Sequence, residues 1–291
     1  IKDYRFKLIK TNKFKIKRKV EIVVISDVHL GTFGCQAKEL LNYLNSIEPK
    51  KIILNGDIID IWQFKKHYFP KSHLKILKKL ISFASEGIEI IYITGNHDEL
   101  LRKFSKTKIG KLSIVDKHIC DLDGKKTWFF HGDVFDLSIQ NAKWIAKLGG
   151  WGYDFLILLN SLINWFLLKI GKDKYSLSKK IKNSVKGAVK FISNFENVVT
   201  ELAVENNFDY VVCGHIHQPK IMTRNVNGIK TTYMNSGDWI ENCTALEYQF
   251  KRWRMYSYDS DKLKGFSIDD DDNEIELNDL IAAVTVSDLE S

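Results

Sequence analysis

Short apolar runs recur along this chain, and five of them end on a carboxylate, amide or imidazole. Val20 to Ile25 is mostly apolar and predicts a buried strand, with Asp27 and His29 just beyond it. Lys51 to Leu54 predicts a second strand, running into Asn55-Gly56-Asp57. Ile88 to Thr94 leads to Gly95-Asn96-His97-Asp98, Thr127 to Phe130 to His131-Gly132-Asp133, and Tyr210 to Cys213 to Gly214-His215-Ile216-His217. Between the first two runs, Ala37 to Ile47 has helical spacing at Leu40, Leu41, Leu44 and Ile47, with Pro49 closing it. Ser72 to Ala84 repeats that design. Strand–helix–strand units of this kind predict a sheet that starts parallel, with right-handed crossovers. After Gly214 the pattern changes: Ile221 to Val226, an Asn227-Gly228 turn and Ile229 to Met234 predict a hairpin. Strands over Thr244 to Phe250 and Trp253 to Tyr258 follow. The fold class is α/β, with helices outside a two-sheet core.

The strand ends carry the chemistry. Five of the eight histidines fall there. In an extended chain, residues i and i+2 face the same way, so Asp27 and His29 can reach one ion together. A glycine immediately before the polar residues permits close backbone approach. One Asp-x-His pair is ordinarily a loop carboxylate beside a solvated histidine; repetition at five strand ends is not explained that way. Hard oxygen donors with imidazoles suit Mn²⁺, Fe or Zn²⁺ and exclude an all-thiolate site. Two ions about 3.5–4 Å apart call for a shared carboxylate. His67, His73 and His118 lie outside the pattern and read as solvated or core histidines.

In order, these blocks resemble the calcineurin-like metallophosphoesterase superfamily. Its pattern is Asp-x-His, Gly-Asp, Gly-Asn-His-Asp or Glu, a lone His, then Gly-His-x-His, and all five occur between residues 27 and 217. The resemblance implies a four-layer α-β-β-α sandwich. It implies Asp27, His29 and His217 on one metal ion, Asn96, His131 and His215 on the other, and Asp57 bridging. It implies that His97, oriented by Asp98, meets a phosphoryl oxygen or the leaving group, and that water attacks phosphorus with no Ser or Cys nucleophile. Asp60 and Asp133 sit beside ligands, as orienting groups or ordinary loop acids. Asn235-Ser236-Gly237-Asp238-Trp239 ends a strand and either lines the site, as expected, or only turns the chain.

Composition sets the surroundings. The chain has 291 residues, 44% hydrophobic and 27% charged, enough for one large core. Four cysteines without Cys-x-x-Cys spacing suit a reducing compartment. The net charge is +8, with nine Lys/Arg in residues 1–19 and eleven acids from Asp259 onward, which leaves about +17 on residues 1–258. That reads equally as attraction to anionic partners or as a soluble, lysine-rich protein with an acidic tail. The expected organisation is a basic segment over 1–19, a catalytic domain over 20–258 with a helical cap or lid over about 137–200, and an acidic, disordered tail over 259–291. No signal segment is visible at the start.

The insert between His131 and His215 is the specific clue. Residues 151–170 are very apolar and aromatic, but Asp154, Asn160, Ser161 and Asn164 interrupt them, which argues against a spanning helix. Eight lysines from Lys169 to Lys190 follow, opposed only by Asp173. The segment reads either as a hairpin packed on the sandwich or a dimer face, or as an interfacial lid with lysines at headgroup level. The excess of large apolar side chains favours the lid. A lid of this kind on this ligand set resembles the UDP-2,3-diacylglucosamine pyrophosphohydrolases of lipid A synthesis, as do Gly56-Asp57-Ile58-Ile59-Asp60-Ile61-Trp62 and Gly214-His215-Ile216-His217-Gln218-Pro219. The best-known members have Arg at the position of His97, and a broader group of relatives keeps His. The resemblance implies release of UMP from the UDP-sugar by a dimanganese centre, with Trp62, Ser176, Lys179 and Lys182 on the substrate. It implies a cytoplasmic protein, peripheral on the anionic inner leaflet; the aromatic residues cluster rather than interleave with the basic ones, so no nucleic acid is expected. Two other readings stand: a phosphodiesterase or nucleotide pyrophosphatase on a soluble substrate, and a non-catalytic membrane-binding scaffold. Oligomeric state is not legible.

Overall fold

The computed structural model describes residues 17–61, 68–135 and 178–261, with side chains described from Phe191 onward in the last segment. Trp62 and Ser176 lie outside the described residues, as do the side chains of Lys179 and Lys182, most of the basic first segment and nearly all of the acidic tail.

The strands are β1 Arg18–Ile25, β2 Ile47–Asn55, β3 Glu89–Ile93, β4 Lys108–Ile109, β5 Leu112–Val115, β6 Lys117–Leu122, β7 Lys125–Phe130, β8 Tyr210–Cys213, β9 Lys220–Val226, β10 Ile229–Asn235, β11 Thr244–Gln249 and β12 Arg252–Ser257. The helices are α1 Ala37–Ser46, α2 Lys71–Ser85 and α3 Ser178–Glu205, with a short 3₁₀ helix at Glu99–Phe104. A seven-stranded sheet runs β12-β11-β1-β2-β3-β5-β4, and a five-stranded sheet runs β6-β7-β8-β10-β9. β1, β2, β3 and β5 are mutually parallel, as the strand–helix–strand pattern requires.

Alternation along the apolar strands separates the layers. Val23 and Ile25 of β1, Ile52 and Leu54 of β2, and Ile90 and Tyr92 of β3 face α1 and α2, packing on Leu40, Leu44, Ile76 and Phe83. Their neighbours Ile22, Val24, Ile53, Ile91 and Ile93, with Leu246 of β11 in the same sheet, face the other sheet and meet Phe129, Val212 and Met234. The far side of the second sheet, with Phe130, Val211, Cys213 and Tyr233, is covered by Phe195, Val199 and Ala203 of α3. A run apolar at every position is what a strand buried on both faces needs. The result is the α-β-β-α sandwich.

Three details differ from the sequence expectation. Pro49 does not merely close α1; it lies inside β2, paired with Val20. It is tolerated there because β3 joins β2 only from the Lys51–Glu89 level onward. The stretch between His97 and His131 holds three further strands, β4 to β6, that alternation alone left unassigned. Most of the lid expected over about 137–200 lies outside the described residues, but Phe195 and Val199 at its expected end pack on the second sheet, and Glu196 and Thr200 are buried beside them. Among the described residues, no helix is long and apolar enough to cross a membrane.

Candidate metal centre

The five polar blocks converge where the parallel strands β1, β2 and β3 end and the second sheet meets them. The loop after β1 is tied to the loop after β2: Asp27 N donates to Gly56 O at 3.1 Å, and the amides of Val28 and His29 both donate to Asp57 O at 3.0 Å. Two successive amides can reach one carbonyl only if the chain curls. Accordingly Asp27 and His29 both have φ of +52°, rather than the extended geometry expected from their spacing. Asp57, His215 and His217 also lie in the left-handed region, with φ of +53°, +70° and +52°. Each such residue costs about 1–2 kcal/mol. Strain of this kind at five clustered residues persists because the surrounding core fixes the loops.

Glycine makes the convergence possible. A Cβ on Gly95 would stand 2.7 Å from the Asp57 amide nitrogen and would overlap the Asp57 carboxylate. One on Gly214 would stand 2.5 Å from Asp27 Oδ2. Both turns are therefore packed directly on a carboxylate that faces the site.

Two three-residue groups result, each with donor atoms within 4.8 Å of one another: Asp27, His29 and His217, and Asp57, His131 and His215. His217 Nε2 lies 3.2 Å from Asp27 Oδ1. Asp57 Oδ2 lies 3.2 Å from His131 Nε2 of the second group and 4.0 Å from His29 Nε2 of the first. One carboxylate oxygen thus stands between the groups. Asn96 sits at the same strand end, with its Oδ1 buried. The buried Nε2 atoms of His29 and His131 make no hydrogen bond among the described residues, although each faces a carboxylate. Buried imidazole nitrogens of this kind, beside hard oxygen donors, fit divalent metal ions.

The electrostatics say the same. Burial pushes the Asp57 carboxyl up, but His131, His29 and His97 outweigh it and hold it well below the usual range. Asp27 is buried too, and His217 and His131 bring it below its ordinary value. Burial pulls His217 down, yet Asp27 and Asp238 hold its pKa at about 9. Burial lowers the His131 pKa too, but Asp57 raises it above the ordinary value, so protons on His131 and His217 offset these carboxylates when no cation is bound and metal binding must release them.

A third group, His29, Asp60 and His97, adjoins the other two. His97 Nδ1 donates to Asp60 Oδ2 at 3.0 Å, and His29 Nδ1 lies 3.7 Å from the same oxygen. Burial lowers the His97 pKa, but the bond to Asp60 and the charges of Asp57 and Asp60 hold it above the ordinary histidine value. The expectation that Asp98 orients His97 is corrected here. Asp98 is fully buried and turned inward, accepting from Gly95 N at 2.6 Å, Ile58 N at 3.0 Å and the Tyr92 hydroxyl at 2.6 Å. It fastens two site loops together, and Asp60 orients the ring. Asp133 accepts from Arg102.

Two supports were weakly visible or invisible in the sequence. The Asn235–Trp239 turn underlies the site: Ser26 Oγ bonds Ser236 Oγ at 2.7 Å, and Trp239 N donates to Asp27 O at 3.0 Å. Asp238 Oδ2 stands 3.9 Å from His217 Nδ1, while its carboxylate collects the amides of Ile240, Glu241 and Asn242. His131 Nδ1 faces Asn55 O at 2.9 Å, which leaves Nε2 for the centre. His73 is the core histidine expected, and its Nδ1 accepts from Gly31 N at 2.9 Å, bracing the first loop.

A sequence profile of the calcineurin-like phosphoesterases matches residues 20–219. A UDP-2,3-diacylglucosamine hydrolase of Aliivibrio fischeri is 26% identical over 243 residues, covering 81% of this chain and 97% of that protein. The corresponding hydrolase of Aeromonas salmonicida is 26% identical over 242 residues, 76% of this chain and 87% of that one. A solved archaeal phosphodiesterase is 14% identical, with a TM-score of 0.39, covering 81% of this chain and 98% of that one. With the profile spanning most of the sandwich, the chain belongs to the calcineurin-like phosphoesterase family, which implies divalent metal binding, and is a phosphoester hydrolase.

Proposed function

We propose that the protein hydrolyses the pyrophosphate of UDP-2,3-diacylglucosamine, releasing UMP and 2,3-diacylglucosamine 1-phosphate. The observation that carries the chemistry is the pair of three-residue groups flanking one Asp57 oxygen. Similarity to the Aliivibrio hydrolase over 97% of its length supports the substrate.

In this reading Asp27, His29 and His217 hold one divalent ion, Asn96, His131 and His215 hold the second, and Asp57 serves both. Bound ions of this kind, Mn²⁺ in this proposal with Fe or Zn²⁺ as the alternatives, polarise phosphoryl oxygens and make water acidic. Asn96, a neutral donor, keeps the centre positive enough to receive a diphosphate. His97, committed through Nδ1 to Asp60, offers its Nε2–H to a phosphoryl or leaving oxygen. Water oxygen bonds to the α-phosphorus while the bond from that phosphorus to the bridging oxygen breaks. The sugar 1-phosphate departs with the electron pair, and UMP keeps the new hydroxyl.

Trp62, Ser176, Lys179 and Lys182 are assigned to the substrate, and the apolar insert about residues 151–174 to its acyl chains. A diacylated substrate and a basic chain support a peripheral protein on the cytoplasmic face of an anionic inner membrane. The test is Mn²⁺-dependent release of UMP from UDP-2,3-diacylglucosamine, with EDTA and Asp57→Ala as controls. Metal-dependent turnover that the variant loses supports the assignment.

A second reading is a phosphodiesterase or nucleotide pyrophosphatase on a soluble substrate. His97, in the position where the best-known diacylglucosamine enzymes carry Arg, favours it. Absence of UMP release together with EDTA-sensitive hydrolysis of bis-p-nitrophenyl phosphate would select this reading.

A further inference from the structure

Outside the metal centre, the free edge of the first sheet carries a surface that the phosphoester chemistry does not use. It begins with the 3₁₀ helix Glu99–Phe104, directly after His97 and Asp98, and continues through β4. Leu100, Phe104 and Ile109 are 52%, 56% and 67% exposed. Lys103, Lys106, Lys108 and Lys111 are exposed among them. The exposed acids in this stretch, Glu99 and Asp116, offset part of the charge of the four lysines, and Asp116 also accepts from Ser105 and Thr94. Arg102 is turned away onto Asp133.

The strip runs the height of the sheet. Lys106 N donates to Ile114 O and Ile114 N to Thr107 O, which fixes it against β5, and Ile90 N donates to Lys111 O at the far end of β3. β4 is the last strand on this side. Lysines on an edge strand are ordinarily what prevents strand pairing with another chain. Bare Leu, Phe and Ile side chains beside them serve the opposite end, since they promote association. Apolar side chains interleaved with ammonium groups are the combination that enters the headgroup region of an anionic bilayer. A protein partner reading the strip by strand addition would have only the two residues of β4 to pair with.

We propose that the strip from Leu100 to Lys111 docks on the surface of an anionic lipid bilayer. The inference rests on the reading of a membrane-borne substrate and extends it, assigning the contact to the sheet edge rather than to the apolar insert. A bilayer lying against this edge borders the loop that carries Asn96 and His97, so a diacylated substrate reaches the centre from the membrane plane.

The test is co-sedimentation of the full chain with phosphatidylcholine vesicles, with and without phosphatidylglycerol. The wild-type protein is expected to bind only the anionic vesicles, less at high salt. Lys106→Glu/Lys108→Glu/Lys111→Glu, and separately Phe104→Ser/Ile109→Ser, are expected to lower the partition coefficient at least about tenfold. Both variants should hydrolyse bis-p-nitrophenyl phosphate as the wild type does, which certifies fold and centre. Undiminished vesicle binding by the variants, or wild-type binding to neither vesicle or to both alike, overturns the proposal. Binding that emerges only after removal of residues 262–291 overturns it in favour of the acidic tail as occupant. Failure to release UMP would sink the substrate assignment while leaving the vesicle result standing, so the two failures are distinguishable.

Discussion

Asp60→Asn is the most informative single change. Asp60 Oδ2 accepts from His97 Nδ1 at 3.0 Å, within a pocket where the carboxyl itself is buried. The isosteric amide keeps the volume and removes the charge. A hydrogen bond between charged partners is worth about 1.5–3 kcal/mol. At 1.36 kcal/mol per decade that is a loss of about 10–100-fold in kcat/KM, if His97 acts in the transition state. The sign of the pH effect follows from the same contact. Asp60 raises the His97 pKa above 6.5, so the protonated ring survives to higher pH in the wild type. Without Asp60 the ring loses its proton earlier, and the alkaline limb of the profile moves to lower pH. The assay is hydrolysis of bis-p-nitrophenyl phosphate from pH 6 to about 9, with bound metal quantified in parallel because His29 Nδ1 also faces Asp60 at 3.7 Å. A variant with full metal content, unchanged kcat/KM and an unshifted alkaline limb would refute the assignment of Asp60 as the group that orients His97.

Three further outcomes are expected. Asp98→Ala leaves the Gly95 and Ile58 amides and the Tyr92 hydroxyl without their acceptor, so stability should fall by about 3–5 kcal/mol, read from urea unfolding. Gly95→Ala forces the Asp57 carboxylate aside, and kcat should drop about 100-fold or more with loss of bound metal, while far-ultraviolet circular dichroism stays unchanged. With the His217 pKa at about 9, apparent metal affinity of the chelator-stripped protein should rise about tenfold per pH unit for each proton released, between pH 7 and 9, in chelator competition. For the metal-free protein the sign is opposite: the His217 contribution to stability is complete below the unfolded value near 6.5 and is lost as pH rises through about 9.

The sequence alone determined the layers, and it pointed to the residues that the fold gathers at the candidate site. Apolar runs of four to eight residues predict strands buried on both faces, and the helical spacing at Leu40 and Leu44 predicts what covers the first sheet. A strand's last residue and the next two or three are bound to lie at one sheet edge, so Asp27, His29, Asp57, His97, His131, His215 and His217 could be gathered by reading strand ends. Which carboxylate serves which ring was decided only by the tertiary structure. Asp98 is adjacent to His97 in sequence, but its carboxylate is spent on Gly95, Ile58 and Tyr92, whereas Asp60 arrives from a different strand end. Backbone conformation was likewise invisible: spacing alone made Asp27 and His29 extended, and the shared Asp57 carbonyl curls them both into the left-handed region. β4 and β5 were missed because they are short, β4 exposed and β5 half-buried at every position, so neither alternates. The burial of Phe195 and Val199, which returns the end of the expected lid to the sandwich, depends on a partner sheet that no local pattern names. Local periodicity reports which face of an element must be covered; only packing across the chain reports what covers it and which polar group is left facing the metal ions.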